Sequence, residues 1–199
     1  MTKRLALAAM ALSIPAISIP VLSIPAMGSA PRAAQDAPPA AEPEILNNAD
    51  PDSFQVYGLP GGAKPASIKD AKVQFGKAIR VETPGGGNAW SVGVNAPLQA
   101  GVRKGDKLLI AFYARVEKPA EGATTATIAS AQLQLAAAPY TRLFGEGVTV
   151  GPEWKLYKVV GHADRDYAKG ELAAALHINT ARQTLDIGAM AVLDFGQKP

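Results

Sequence analysis

The chain contains no cysteine in its 199 residues, only two histidines, 6% aromatic residues and 19% charged residues. Without cysteine there is no disulfide framework, thiolate nucleophile, zinc ribbon or lipid-modified cysteine anchor. His162 and His177 are too few for a three-histidine metal centre. Charge of one sign is also scarce: 20 basic and 17 acidic residues leave a formal +3. No run of Lys or Arg forms an electrostatic footprint, so nucleic acid is not an expected partner.

What is present begins with an apolar start. Lys3 and Arg4 precede the apolar run Leu5 to Leu12, and small residues gather at Ala26-Met27-Gly28-Ser29-Ala30. This reads as a secretory signal peptide over residues 1–30. A retained membrane helix is disfavoured because Pro15, Pro20 and Pro25 would interrupt its hydrogen-bond ladder. The mature chain is therefore expected to be exported, periplasmic or extracellular, and free of the membrane once the signal is removed. Residues 31–52 are rich in Pro, Ala and acid, and read as a flexible linker. Residues 53–199 form the expected folded domain. At about 150 residues such a domain buries roughly 68–70% of its unfolded surface, enough to fold without a metal staple.

Helical periodicity is nearly absent after residue 53, whereas period-two segments recur between Gly, Pro and Asp punctuation. Strands are expected at 78–83, 90–95, 107–117, 124–135, 147–151, 154–160, 171–179, 183–187 and 190–195. Many short antiparallel strands at this spacing predict an all-β antiparallel sandwich or jelly roll.

Two strands show an unusual second face. Leu172, Leu176 and Ile178 share one side, leaving Ala173, Ala175, His177 and Asn179 on the other. In the strand through 129–135 the leucines separate from Ser130, Gln132 and Gln134. A solvated sheet face usually carries Lys, Glu and Thr; amides and an imidazole between alanines instead suggest a shallow neutral trough. Such a trough suits a polyhydroxylated ligand, whose hydroxyls both donate and accept. Trp90 follows the loop Gly85-Gly86-Gly87-Asn88-Ala89 and offers a rigid plate for a sugar ring. Trp154, with apolar neighbours, is expected to be core.

Five segments in order carry a resemblance: Asn88-Ala89-Trp90-Ser91-Val92, Phe112 to Glu117, Pro139-Tyr140-Thr141-Arg142-Leu143, Gly151-Pro152-Glu153-Trp154 and Gln183 to Gly188. Together they resemble carbohydrate-binding modules of families four, nine and twenty-two, the type attached to bacterial xylanases and β-glucanases. The resemblance implies a galactose-binding-like β-jelly-roll with a glycan cleft on its concave sheet. It places Trp90 as a stacking platform and Arg142, His177 and Gln134 as polar contacts; the trough faces add Gln132 and Asn179 as candidates, and Tyr113 is a further aromatic candidate. Two departures stand out. Ala137 replaces the second aromatic, which predicts one-sided stacking unless Tyr113 or Phe144 compensates. Gly188 replaces the aspartate that relatives use for a structural calcium, so no cofactor is expected.

No pair of carboxylates falls on the trough strands, as a glycosidase would require, and no nucleophile elbow, phosphate loop or dinucleotide fingerprint is present. The expectation is a non-catalytic, monomeric protein that binds a β-linked polysaccharide or oligosaccharide such as xylan or β-glucan. The alternative is an envelope module using the same sandwich for protein–protein contacts. A metal-dependent hydrolase built on His162, Asp164 and Asp166 is a third reading.

Overall fold

Alternation of apolar and polar residues turns each strand into a two-faced ribbon that must bury one side against another layer. The structure, a computed structural model, describes residues 42–197. The expected signal peptide and residues 31–41 of the expected linker lie outside the described residues. Eleven strands follow in order: β1 Glu44–Ile45, β2 Gln55–Tyr57, β3 Ala66–Lys69, β4 Lys77–Pro84, β5 Gly93–Pro97, β6 Lys107–Lys118, β7 Ala126–Leu135, β8 Arg142–Val150, β9 Lys155–His162, β10 Leu172–His177 and β11 Arg182–Asp194. They form two antiparallel sheets. The first runs β3-β4-β11-β6-β9, with β1 added to β11, and the second runs β2-β5-β10-β7-β8. This is the expected all-β sandwich.

The core lies between the sheets. Leu108, Ile110, Phe112, Ala114 and Val116 project from β6, and Leu133, Leu172, Leu176 and Ile178 meet them from the second sheet. Phe112 stacks on Tyr157 with ring centroids 5.6 Å apart. Each of the buried Leu, Ile, Val and Phe side chains contributes about 1.5–3 kcal/mol by leaving water.

Several boundaries differ from the sequence reading; β2 and β3 are additional strands, and β8 begins at Arg142 and not at 147. Residues 44–52 pack onto the sandwich: Leu46 is 1% exposed, its N–H donates to the Val192 carbonyl at 2.8 Å, and Asn47 Oδ1 accepts from the Val192 N–H at 2.7 Å. An apolar pair as short as Ile45-Leu46, set among prolines, carries no strand period. Residues 89–91 form a single 3-10 turn ahead of β5 rather than its first residues. The two strands expected at the end are one, β11, with a register irregularity between Ile187 and Met190.

The outer face of the first sheet carries a charged network. Asp186, fully buried on β11, faces Arg80 on β4 and Arg115 on β6 in register. Its Oδ1 accepts from Arg80 Nε at 2.7 Å, and its Oδ2 accepts from Arg80 Nη2 at 3.0 Å and Arg115 Nε at 2.8 Å. Trp154 belongs here and not to the core. Its Nε1 donates to Asp70 at 2.8 Å, and the Arg115 guanidinium lies 5.0 Å from its ring centroid. An indole with a polar end settles where its N–H finds an acceptor.

Candidate functional site

In an antiparallel sheet, residues directly opposite each other project from the same face. Three such rows cross the second sheet: Tyr57–Gly93–His177–Ser130, Gln55–Asn95–Ala175–Gln132–Gly145 and Pro97–Ala173–Gln134–Arg142. The expected trough residues of β7 and β10 are therefore neighbours. Glycine and alanine keep the middle of each row low. A Cβ at Gly93 would lie 2.4 Å from Tyr57 Oη, so glycine there lets the phenol lie across β5.

Above these rows is an open cleft of about 930 Å³, lined by Gln55, Tyr57, Trp90, Ser91, Asn95, Gln134, Ala136, Pro139, Tyr140 and His177. None of these residues carries a carboxylate. Trp90 is 59% exposed and Tyr140 55% exposed, so large apolar surface faces solvent at the rim. Tyr140 has φ of 56°, a left-handed backbone that a bulky residue rarely adopts. Burial, followed by the neighbouring Tyr140, pushes the Tyr57 hydroxyl above its usual pKa and keeps it protonated. A second hollow of about 510 Å³ lies against the other sheet, but its Arg80 is committed to Asp186 and no aromatic lines it.

No protein-family profile matches the chain, and no curated protein matches it. Solved structures do. A family 4 carbohydrate-binding module superposes with a TM-score of 0.55 at 18% identity, covering 72% of this chain and 96% of that one. The N-terminal cellulose-binding domain of a Cellulomonas fimi β-1,4-glucanase gives 0.50 at 19% identity, covering 78% and 96%. A family 22 xylan-binding domain gives 0.50 at 14% identity, covering 81% and 99%. The fold is that of family 4 and family 22 carbohydrate-binding modules.

Within this carbohydrate-binding-module fold the candidates separate into those that line the cleft and those that support it. Trp90, Gln134 and His177 line it. Gln132 is buried: it accepts from Ser130 Oγ at 2.6 Å and donates through Nε2 to Gln134 Oε1 at 2.5 Å. That chain of bonds holds Gln134, whose own Nε2 has no hydrogen-bond partner among the described residues, while Gln132 lies outside the cleft lining. Asn179 likewise lies outside the cleft lining. Its Oδ1 accepts from the Gly85 N–H at 2.9 Å, and its Nδ2 donates to the Gly86 carbonyl at 2.7 Å and Ser91 Oγ at 2.8 Å. Asn179 thus fastens the glycine loop on which Trp90 stands. At Gly85, with φ of 71°, a Cβ would lie 2.5 Å from the Arg182 backbone nitrogen, which accounts for glycine at that point.

Tyr113 is a correction: it lies on β6, in the other sheet, its Cβ 3.0 Å from where a Cβ on Gly188 would sit. Phe144 is also absent from the cleft, its ring lying over Gly161 at the seam of β8 and β9. Tyr140 and Tyr57 supply the further aromatic surface instead. Arg142 pairs with Gln134 across a register irregularity at the start of β8 and sits outside the cleft lining. Asn95 and Gln55 escaped the sequence reading. Asn95 Oδ1 is buried without a hydrogen-bond partner, and an unmade bond of this kind costs about 1–3 kcal/mol.

The metal readings find no support among the described residues, where no group of three or more His, Asp or Glu is placed to hold an ion. Asp164 Oδ1 accepts from the Tyr167 hydroxyl at 2.6 Å, and Asp166 Oδ1 accepts from the Lys104 N–H at 2.7 Å. Gly188 is crowded by Tyr113, Asp186 is held by two arginines, and Asp50 and Asp52 are clasped by Lys77 at 2.9 and 2.5 Å.

Burial holds His177 below the ordinary histidine pKa of 6.5. The unfolded chain therefore takes up a proton near that value while the folded chain stays neutral. The stability linked to the neutral imidazole is complete above about pH 6.5 and declines as the pH falls below it. His177→Gln is expected to flatten that part of the profile. Urea unfolding of both proteins at pH 7.5 and 5.5 checks this; an equal loss of stability in the two would refute it.

Proposed function

We propose that the protein is an exported, non-catalytic module that holds a single β-linked polysaccharide chain along the concave face of the second sheet. The observation that carries this reading is an uncharged cleft of about 930 Å³ with three aromatic side chains, Trp90, Tyr57 and Tyr140. The apolar face of a pyranose ring stacks on an indole or phenol, while its equatorial hydroxyls meet Gln134, His177, Gln55 and Ser91. A hydroxyl that donates to Asn95 recovers the cost of its unpaired oxygen. The cellulose-binding and xylan-binding domains that share the fold support the same ligand class. Affinity electrophoresis against xylan, mixed-linkage β-glucan and mannan tests the reading; migration unretarded by every glycan would end it.

Tyr140 offers a sharper check. A non-glycine residue held at positive φ stores strain of about 1–3 kcal/mol, and such outliers cluster at ligand clamps. Tyr140→Gly is expected to leave the melting temperature unchanged or raise it, while lowering glycan affinity about fivefold or more through loss of the ring. Lower stability with unchanged affinity would assign Tyr140 to the scaffold instead.

One observation favours the protein-contact alternative. Ile45, Leu193, Leu109 and Val160 form an unbroken apolar row across the outer face of the first sheet, with Ile45 59% and Val160 54% exposed. Exposed apolar surface of this kind marks contact sites. Val160→Lys would abolish a protein contact there and leave glycan retardation untouched.

A further inference from the structure

Building on that reading of the cleft, we propose that Arg142 recognises an anionic substituent on the glycan, so that the preferred ligand is a polysaccharide chain decorated with carboxylate or other acidic groups. The cleft itself carries no formal charge. His177 stays neutral, Tyr57 stays protonated, and the remaining lining residues are amides, hydroxyls and apolar groups. Arg142 breaks that pattern. It pairs with Gln134 across a register irregularity, just beyond the cleft lining, where β8 begins at the open edge of the sheet. It is exposed, and among the described residues it makes no ion pair and donates no side-chain hydrogen bond. The arginines of the opposite sheet behave differently: Arg80 and Arg115 are both spent on Asp186 and Glu117.

Position decides what this free cation is for. A main chain lying over Trp90 and Gln134 would direct substituents of the sugar next to Gln134 toward β8. A guanidinium there presents a fork of donors matched to a planar carboxylate, which it takes in two parallel bonds. A neutral chain offers that fork nothing, so Arg142 discriminates between decorated and bare polymers, while the aromatic side chains hold both. A sulfate ester would engage the same fork, and the polymers compared below separate the two sources.

The test is affinity electrophoresis of the full chain in gels containing a glucuronate-bearing xylan, the same polymer after carboxyl reduction, or a sulfated xylan. The wild-type protein is expected to bind the glucuronate-bearing polymer about tenfold more tightly than the reduced one. In Arg142→Gln the two should be retained alike, and Arg142→Lys should restore part of the difference. Because the contact is exposed, the preference should shrink at 1 M salt, where screening acts within about 3 Å. Tighter retention by the sulfated polymer would support the inference with sulfate as the substituent. Equal retention of acidic and reduced xylan by the wild type, or a preference that survives Arg142→Gln, would overturn it and leave the cleft reading intact. Failure to bind any polymer would remove both.

Discussion

Trp90→Ala is expected to lower glycan affinity about 5- to 150-fold, because stacking on an exposed aromatic platform is worth roughly 1–3 kcal/mol. The melting temperature should move by no more than about 2 °C, since a substitution at an exposed position away from the core changes stability by about 0.5 kcal/mol or less. The two expectations belong together because of how the tryptophan is mounted. Its indole is 59% exposed and supports no core contact. The loop beneath it is held by Asn179 and by the Asn179 N–H, which donates to the Ala89 carbonyl at 3.0 Å. Removing the ring therefore leaves its platform standing. Calorimetric titration with the best-retained oligosaccharide, together with a thermal melt, measures both quantities. A large fall in melting temperature would show the indole to be structural, and unchanged affinity would remove it from the site.

The same contrast between mount and ring explains what could be read from the sequence. Two strands announced their role because alternation is a local property: Ser130, Gln132 and Gln134 had to share one face, and Ala173, Ala175 and His177 another. That these faces adjoin is set by the pairing of β7 with β10, which alternation does not give. Alternation does not say which sheet a face belongs to either, and Tyr113 illustrates the limit. It alternates correctly on β6 but points away from the cleft, on the far side of the molecule's other sheet. Tyr57 was missed for the opposite reason. Its strand, β2, has three residues, too few for any period to register, and its ring gains access only through the glycine at position 93. Tyr140 reaches the cleft through a left-handed backbone that no propensity would assign to tyrosine. Gln132 and Asn179 had the right chemistry and face, but hydrogen bonds to neighbours consume them, and only a structure shows which amides are already committed.

The same accounting of commitments applies to the opposite sheet, where Asp186→Ala is expected to destabilise the fold by about 3 kcal/mol, the lower end of the range for breaking a buried ion pair. The carboxylate is completely buried and accepts three hydrogen bonds from Arg80 and Arg115, tying β11 to both its neighbours. The two guanidinium groups are 28% and 24% exposed, so water recovers part of their solvation once the partner is gone. That places the cost at the low end. In a domain of this size it corresponds to a fall in melting temperature of about 6–12 °C. Asp186→Asn should fare little better, because its amide nitrogen would point a donor at an arginine donor. Glu117 contacts the same two arginines at 3.0 and 3.3 Å but is 39% exposed, and Glu117→Ala is expected to cost no more than about 1 kcal/mol. Thermal melts of the three variants give the order, and glycan retardation measured below the transition should match wild type in all of them. Equal melting temperatures for Asp186→Ala and Glu117→Ala would mean that burial of the aspartate does not set the strength of this network.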